Sequence, residues 1–134
     1  PVYGSEKDAA LAASASKNLW GVFCHDCKMT DYVDGIDSFS VGGFSFGVMK
    51  TPGHTPGGVC YFIDDIMFSG DTLFKECVGR IDLPGGDYRE MMDSLSKIAL
   101  IDKNYKIYAG HEEDTDLFHE FRFNPYLSAF KRNK

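Results

Sequence analysis

Three places in the sequence set a short apolar run, then a glycine, then a side chain able to bind a metal ion. Val48-Met49 leads through Thr51-Pro52 to Gly53-His54. Ile66-Met67-Phe68 leads through Ser69 to Gly70-Asp71, and Ile107-Tyr108-Ala109 leads to Gly110-His111. Such runs read as strands, and strands side by side in one sheet bring their ends to one edge. Glycine lets the backbone turn sharply there. Two imidazoles and a carboxylate aimed at a common centre would suit zinc, iron or manganese. The other two histidines lack this setting. His119 falls in a helical stretch with no histidine at i+4 and reads as an exposed helical residue, and His25 has no strand and glycine before it.

The elements that must position these residues can be read in order. Residues 1–4 read as the end of a strand. Ser5 can cap a helix, with Asp8 reaching back to the cap, and the alanine-rich stretch to about Lys17 continues it. Residues 21–38 have no clean period and read as loop. Phe39-Ser40-Val41 and Phe44-Ser45-Phe46 flank Gly42-Gly43 and read as a hairpin. Val59 to Ile63 and Ile66 to Phe68 flank Asp64-Asp65 and read as a second.

Residues 72–86 read as a glycine- and proline-bearing loop. Asp87 caps a helix from Tyr88 to about Leu100, whose Met91, Leu95 and Ile98 recur at i, i+4 and i+7. Lys106 to Ala109 is a short strand. Asp114 or Thr115 opens a last helix with Leu117, Phe118 and Phe121 inward, and Asn124-Pro125 interrupts it. The order of hairpins, helix, strand and helix is an α+β or mixed α/β layer arrangement. No repeat or internal boundary divides it, so residues 1–134 read as one domain.

Composition narrows the partners. The net charge of -6 argues against nucleic acid. Lys131, Arg132 and Lys134 read as a solvated tail. No run approaches the roughly 18 apolar residues of a membrane helix. Cys24, Cys27, Cys60 and Cys77 do not form a dense disulfide framework, and a reducing, cytoplasmic setting is expected. Cys24-His25-Asp26-Cys27 could be a redox pair or half a zinc knuckle. It follows a helix instead of a strand, and Cys60 and Cys77 are 17 apart and supply no second pair, so a plain loop is favoured.

Longer stretches carry a resemblance. Thr51-Pro52-Gly53-His54-Thr55-Pro56-Gly57-Gly58, then Phe68-Ser69-Gly70-Asp71-Thr72-Leu73-Phe74, closely resembles the metallo-β-lactamase fold superfamily. Gly79-Arg80-Ile81-Asp82-Leu83-Pro84-Gly85-Gly86-Asp87 is similar to the small glyoxalase-II-like hydrolases, as are Gly110-His111 and Asn124-Pro125-Tyr126. The likeness covers roughly residues 40–127.

It implies the C-terminal portion of an αββα sandwich. It implies that His54 completes a first metal's ligands, that Asp71 bridges two metals and is catalytic, and that His111 ends the second set. The implied cofactor is zinc, or iron or manganese, with two ions in an intact parent and weak or no binding here. The implied reaction is hydrolysis of a thioester or similar small acyl compound through a metal-bound hydroxide.

Two departures stand out. The superfamily's His-x-His-x-Asp-His cluster does not occur, and Glu112-Glu113 follows His111 where relatives have Gly-Pro. The chain therefore reads as the C-terminal part of a longer protein, with little activity of its own. The alternative is an inactive half-domain kept as an assembly or binding module.

Arg80 and Asp82 are expected to contact each other within a loop. Phe39, Phe44, Phe46, Phe62 and Phe68 are expected as sheet core. Lys75 and Tyr108 could face the site's edge. Without the preceding half of the sandwich, Phe44, Phe46 and the Val59-to-Ile63 run should be uncovered, which favours a homodimer or higher self-association.

Overall fold

The computed structural model describes residues 1–130. Lys131, Arg132 and Lys134, the expected tail, lie outside the described residues. The strands are β1 (Tyr3–Gly4), β2 (Asp31–Tyr32), β3 (Ser38–Val41), β4 (Phe44–Lys50), β5 (Val59–Ile63), β6 (Ile66–Gly70), β7 (Leu73–Phe74), β8 (Cys77–Val78), β9 (Lys106–Ala109) and β10 (Thr115–Asp116). The helices are α1 (Ala9–Ala13), α2 (Tyr88–Ile98), α3 (Leu117–Phe123) and α4 (Pro125–Ser128). Both expected hairpins form at the expected turns, and the mixed α/β arrangement holds.

Six strands make the main sheet in the order β10-β9-β6-β5-β4-β3. β3 to β6 form an antiparallel meander, and β9 then pairs parallel to β6. β4, β6 and β9 consequently run in one direction and end at one edge. That edge is where His54, Asp71 and His111 follow.

One sheet face is the core. Met49, Cys60, Phe62, Met67 and Ile107 pack there against Met91, Leu95 and Ile98 of α2, Leu117 of α3 and Leu127 of α4. Asp87 starts α2 as read from the sequence, its Oδ1 accepting from the Glu90 amide at 2.9 Å. Ser94 on α2 donates to the Pro52 carbonyl at 2.6 Å, which ties this helix to the loop that carries His54.

The opposite face is partly covered. Tyr3 stacks on Phe39 at 4.3 Å, and Phe39 stacks on Phe46 at 5.3 Å. Phe44 and Phe68 are exposed, so these two are not core as expected. The Val59-to-Ile63 run is not uncovered as a unit either. Strand alternation sends Cys60 and Phe62 to the helices and leaves Val59, Tyr61 and Ile63 half-buried on the other face.

Other elements differ locally. The N-terminal helix is broken into a 3-10 turn at Glu6–Asp8, α1, and a second 3-10 turn at Ala15–Lys17. Ser5 does cap it, accepting from the Lys7 amide. Asp8 does not reach back to that cap. Its carboxylate instead accepts from Thr55 Oγ1 and from the Gly57 amide at 2.8 Å. Residues 72–86 contain the small β7–β8 hairpin, and residues 21–38 contain β2, which pairs parallel to β1.

The last helix starts later than expected. Thr115 and Asp116 first pair with β9, and Asp116 then caps α3. Phe118 is half exposed, not inward, because Leu117 and Glu120 take the buried positions. His119 is only partly exposed, and its Nε2 pairs with Glu76 Oε1 at 2.9 Å.

Candidate metal centre

Each of the three residues is placed by its own turn. After β6, Gly70 takes φ +53°, a left-handed conformation that suits glycine, and the chain swings Asp71 off the sheet. The Gly110 amide then donates to the Gly70 carbonyl at 2.7 Å, locking the ends of β6 and β9 together. The His54 loop rests on the start of α2, where the Asp87 amide donates to the Gly53 carbonyl at 2.8 Å. Asp8 grips the same loop at Thr55 and Gly57 from the other side. Below it, Thr51 Oγ1 lies 3.0 Å from Thr72 Oγ1 and 3.4 Å from Cys60 Sγ.

The three expected residues meet. His54 Nε2 lies 3.4 Å from Asp71 Oδ2, and His111 Nε2 lies 3.6 Å from Asp71 Oδ1. Each imidazole thus faces a different oxygen of one carboxylate. His54 Nδ1 is 2.7 Å from the Arg80 carbonyl, which can only accept, so Nδ1 carries the hydrogen. In the neutral ring Nε2 then holds its lone pair toward Asp71. Two lone-pair donors facing each other at this distance call for a cation or a proton between them.

A divalent cation with nitrogen and oxygen preferences suits that need, and the backbone carbonyl fixes the ring as a metal-bound histidine requires. The donors fit in kind, with Asp71 able to serve two neighbouring ions. They do not close a set. Among the described residues no three His, Cys, Asp or Glu side chains surround one point as a metal site. Asp71 gives each position one oxygen beside one imidazole.

A cleft of about 490 Å³ opens beside these residues, lined among others by His54, Phe74, Lys75, Val78, Arg80 and His111. The Phe74 ring packs on His111 with centroids 4.5 Å apart and the planes tilted by 32°. Lys75 reaches the cleft, as expected, and pairs with Glu113 at 2.5 Å. Arg80 binds Asp82 through two bonds of 2.7 Å, also as expected. The hydrogen bond from Arg80 holds the Asp82 carboxyl down at about 2. The Arg80 guanidinium also lies 5.3 Å from the exposed Trp20 ring. Tyr108 is not among the cleft residues; it lies half exposed on the open sheet face beside Phe68.

A second groove, of about 580 Å³, reaches His54 and Asp71 from the open sheet face between Tyr3, Tyr61 and Phe68. The Tyr61 hydroxyl is buried there without a hydrogen-bond partner among the described residues. The four cysteines are free thiols, Cys24 and Cys27 included. Burial pushes the Cys60 thiol up to about 11, which makes it inert core. Sequence reading missed Asp8, Phe74, Glu76, Glu120 and Asn124 as supports of the site. Only the Phe68-to-Phe74 stretch and the Asn124-Pro125-Tyr126 ending gave a signal for any of them.

The mixed α/β fold thus carries two imidazoles around one carboxylate at a single sheet edge. The family model of the metallo-beta-lactamase superfamily matches residues 27–111, and the chain belongs to that superfamily. The chain is 34% identical over 137 residues to the probable metallo-hydrolase M6_Spy0554 of Streptococcus pyogenes, covering 95% of this chain and 59% of that protein.

Hydroxyacylglutathione hydrolase GloC of Haemophilus influenzae is 37% identical over 90 residues, covering 65% of this chain and 42% of that protein. Among solved structures, BLEG-1 B3 metallo-beta-lactamase superposes with TM-score 0.83 at 31% identity, covering 96% of this chain and 65% of that one. TTHA1623 in a di-iron-bound form gives 0.80 at 32%, covering 95% and 65%. The chain thus spans 59% of the length of its streptococcal relative. Membership of the superfamily implies metal ions. Among the described residues no helix is long and apolar enough to cross a membrane.

Proposed function

We propose that His54, Asp71 and His111 are this chain's share of a metal site that hydrolyses a thioester or similar small acyl substrate. The observation that carries it is the pair of imidazole nitrogens 3.4 and 3.6 Å from the two oxygens of Asp71. When bound, the metals would polarise the acyl carbonyl and supply a nucleophile at neutral pH. The chain's residues do the rest. Asp71 would bridge, His54 would be held in register by the Arg80 carbonyl, and the cleft would receive the acyl group between Phe74 and Val78. The likeness to a hydroxyacylglutathione hydrolase supports the thioester class. The free cysteines support a reducing, cytoplasmic setting.

Because no closed ligand set exists among the described residues, the chain by itself would bind zinc weakly and hydrolyse little. That same observation favours a second reading, an assembly module that kept its ligands without turnover. The test measures thioester hydrolysis by the intact gene product that contains this chain, with and without Asp71→Asn. The proposal expects turnover that falls by about 10²-fold or more in the variant, as loss of a group acting on the transition state does. Equal rates, or none in either protein, would leave the assembly reading.

We also propose that a second copy covers the open sheet face. Phe44, Phe68 and Tyr108 are 60%, 41% and 43% exposed on that face, and β3 is a bare sheet edge.

A further inference from the structure

The structure assigns Glu120 and Asn124 as positioning residues: they hold the β7–β8 turn in the shape that seats Phe74 against His111. The assignment rests on the reading of His111 as a ligand. Glu120 is fully buried yet carries a carboxylate. Burying such a group is costly unless both its oxygens are hydrogen-bonded. Here its Oε1 accepts from Thr115 Oγ1 at 2.7 Å. Its Oε2 accepts from the Glu76 amide and from Asn124 Nδ2, both at 2.8 Å.

The Glu76 amide lies at the tip of the β7–β8 turn, where φ is +57° in a residue that is not glycine. That conformation costs energy and needs outside support. The Glu120 carboxyl oxygen that accepts from this amide supplies it. Asn124 completes the grip. Its Nδ2 also donates to the Cys77 carbonyl at 3.0 Å and approaches the Phe74 carbonyl at 3.4 Å. The backbone on both sides of the turn is therefore fixed from the α3–α4 junction. On the turn's other side, the Phe74 ring meets His111, and Lys75 holds Glu113, two residues further on. A path of direct contacts runs from Glu120 to His111.

The experiment compares the parent chain with Glu120→Ala, Glu120→Gln, Asn124→Ser and Thr115→Val. Glu120→Gln keeps an acceptor for the Glu76 amide, because its amide group can face the Thr115 hydroxyl, which rotates to accept. Asn124→Ser keeps an N-cap for α4 but loses the reach of Nδ2. Thr115→Val removes a bond that does not touch the turn.

Two readouts are taken well below each unfolding midpoint: nuclear Overhauser contacts between the Phe74 and His111 rings, and calorimetric zinc affinity. Glu120→Ala and Asn124→Ser are expected to lose the ring contacts and to weaken zinc by at least about tenfold, the usual effect of removing support behind a ligand. Glu120→Gln should keep both, and Thr115→Val should lower only the midpoint. A folded Glu120→Ala or Asn124→Ser protein that retains the ring contacts would overturn the assignment.

If neither folds, the parent decides through hydrogen exchange. The Glu76 amide should exchange slowly, and exchange at the rate of an open loop sinks the idea. A parent that binds no zinc would count against the metal reading alone, since ring contacts and exchange do not need metal.

Discussion

A β-carbon on Gly110 would sit 2.2 Å from Asp71 Oδ1. The glycine before His111 is therefore the space into which the central carboxylate of the site is folded. Gly110→Ala should displace Asp71, lower stability by roughly 1–3 kcal/mol as overpacking does, and weaken zinc binding. Paired thermal melts and zinc calorimetry check this. Unchanged zinc affinity with a lowered melting point would mean that Asp71 moves without consequence.

Asp82 gives a prediction in pH. Its carboxyl titrates at about 2 in the folded chain, held down by the Arg80 hydrogen bond, against an ordinary 3.8. The folded state binds this proton more weakly than the unfolded state does. The contribution is present above the ordinary value and is lost as pH falls from there through about 2. A carboxyl carbon resonance for Asp82 with its midpoint near the ordinary value would contradict the paired geometry. Asp82→Asn should leave stability at neutral pH little changed, since the pair is exposed.

Leu95 is fully buried between sheet and helices. Leu95→Ala should cost about 2–5 kcal/mol, as other deletions of buried leucine do. Denaturant titration measures it. A cost under about 1 kcal/mol, the range of surface changes, would show that α2 does not close the core.

Self-association should follow from the open face. Apolar burial is worth roughly 25 cal/mol per Å², so a few hundred Å² from Phe44, Phe68 and Tyr108 would drive pairing. Light scattering over a concentration series should find a dimer or larger species, and Phe68→Lys should shift it toward monomer. A single monomeric mass at every concentration would show that Tyr3 and the N-terminal segment already cover enough.

Much of the architecture was legible because strand and helix periods are local. The Gly42-Gly43 and Asp64-Asp65 turns, the Asp87 cap and the i, i+4, i+7 spacing of Met91, Leu95 and Ile98 all appear where the residues put them. The meeting of His54, Asp71 and His111 was also legible, since parallel strand directions carry glycine-ligand endings to one edge.

What was hidden depends on partners distant in sequence. Asp8 looked like part of a helix cap, but Thr55 and the Gly57 amide offered better donors 47 and 49 residues away. Glu120 read as an ordinary helix charge, because no local pattern reveals an amide at residue 76. Phe44 and Phe68 share the alternation of core aromatics, which gives a strand's face but not whether anything lies over it.

The pairing of β6 with β9 also sets a timetable. β3 and β4, and β5 and β6, are joined by tight turns and β4 and β5 by the short loop of residues 51–58, whereas the chain must pass through α2 before β9 finds β6. Long closures cost more chain entropy than short ones and come later in folding. The hairpins carry His54 and Asp71 to their edge first, and His111 arrives only when the last strand docks. Pulse-labelled exchange should protect the β4–β5 amides before those of β6–β9. The edge that gathers His54, Asp71 and His111 is then also the seam at which the chain finishes folding.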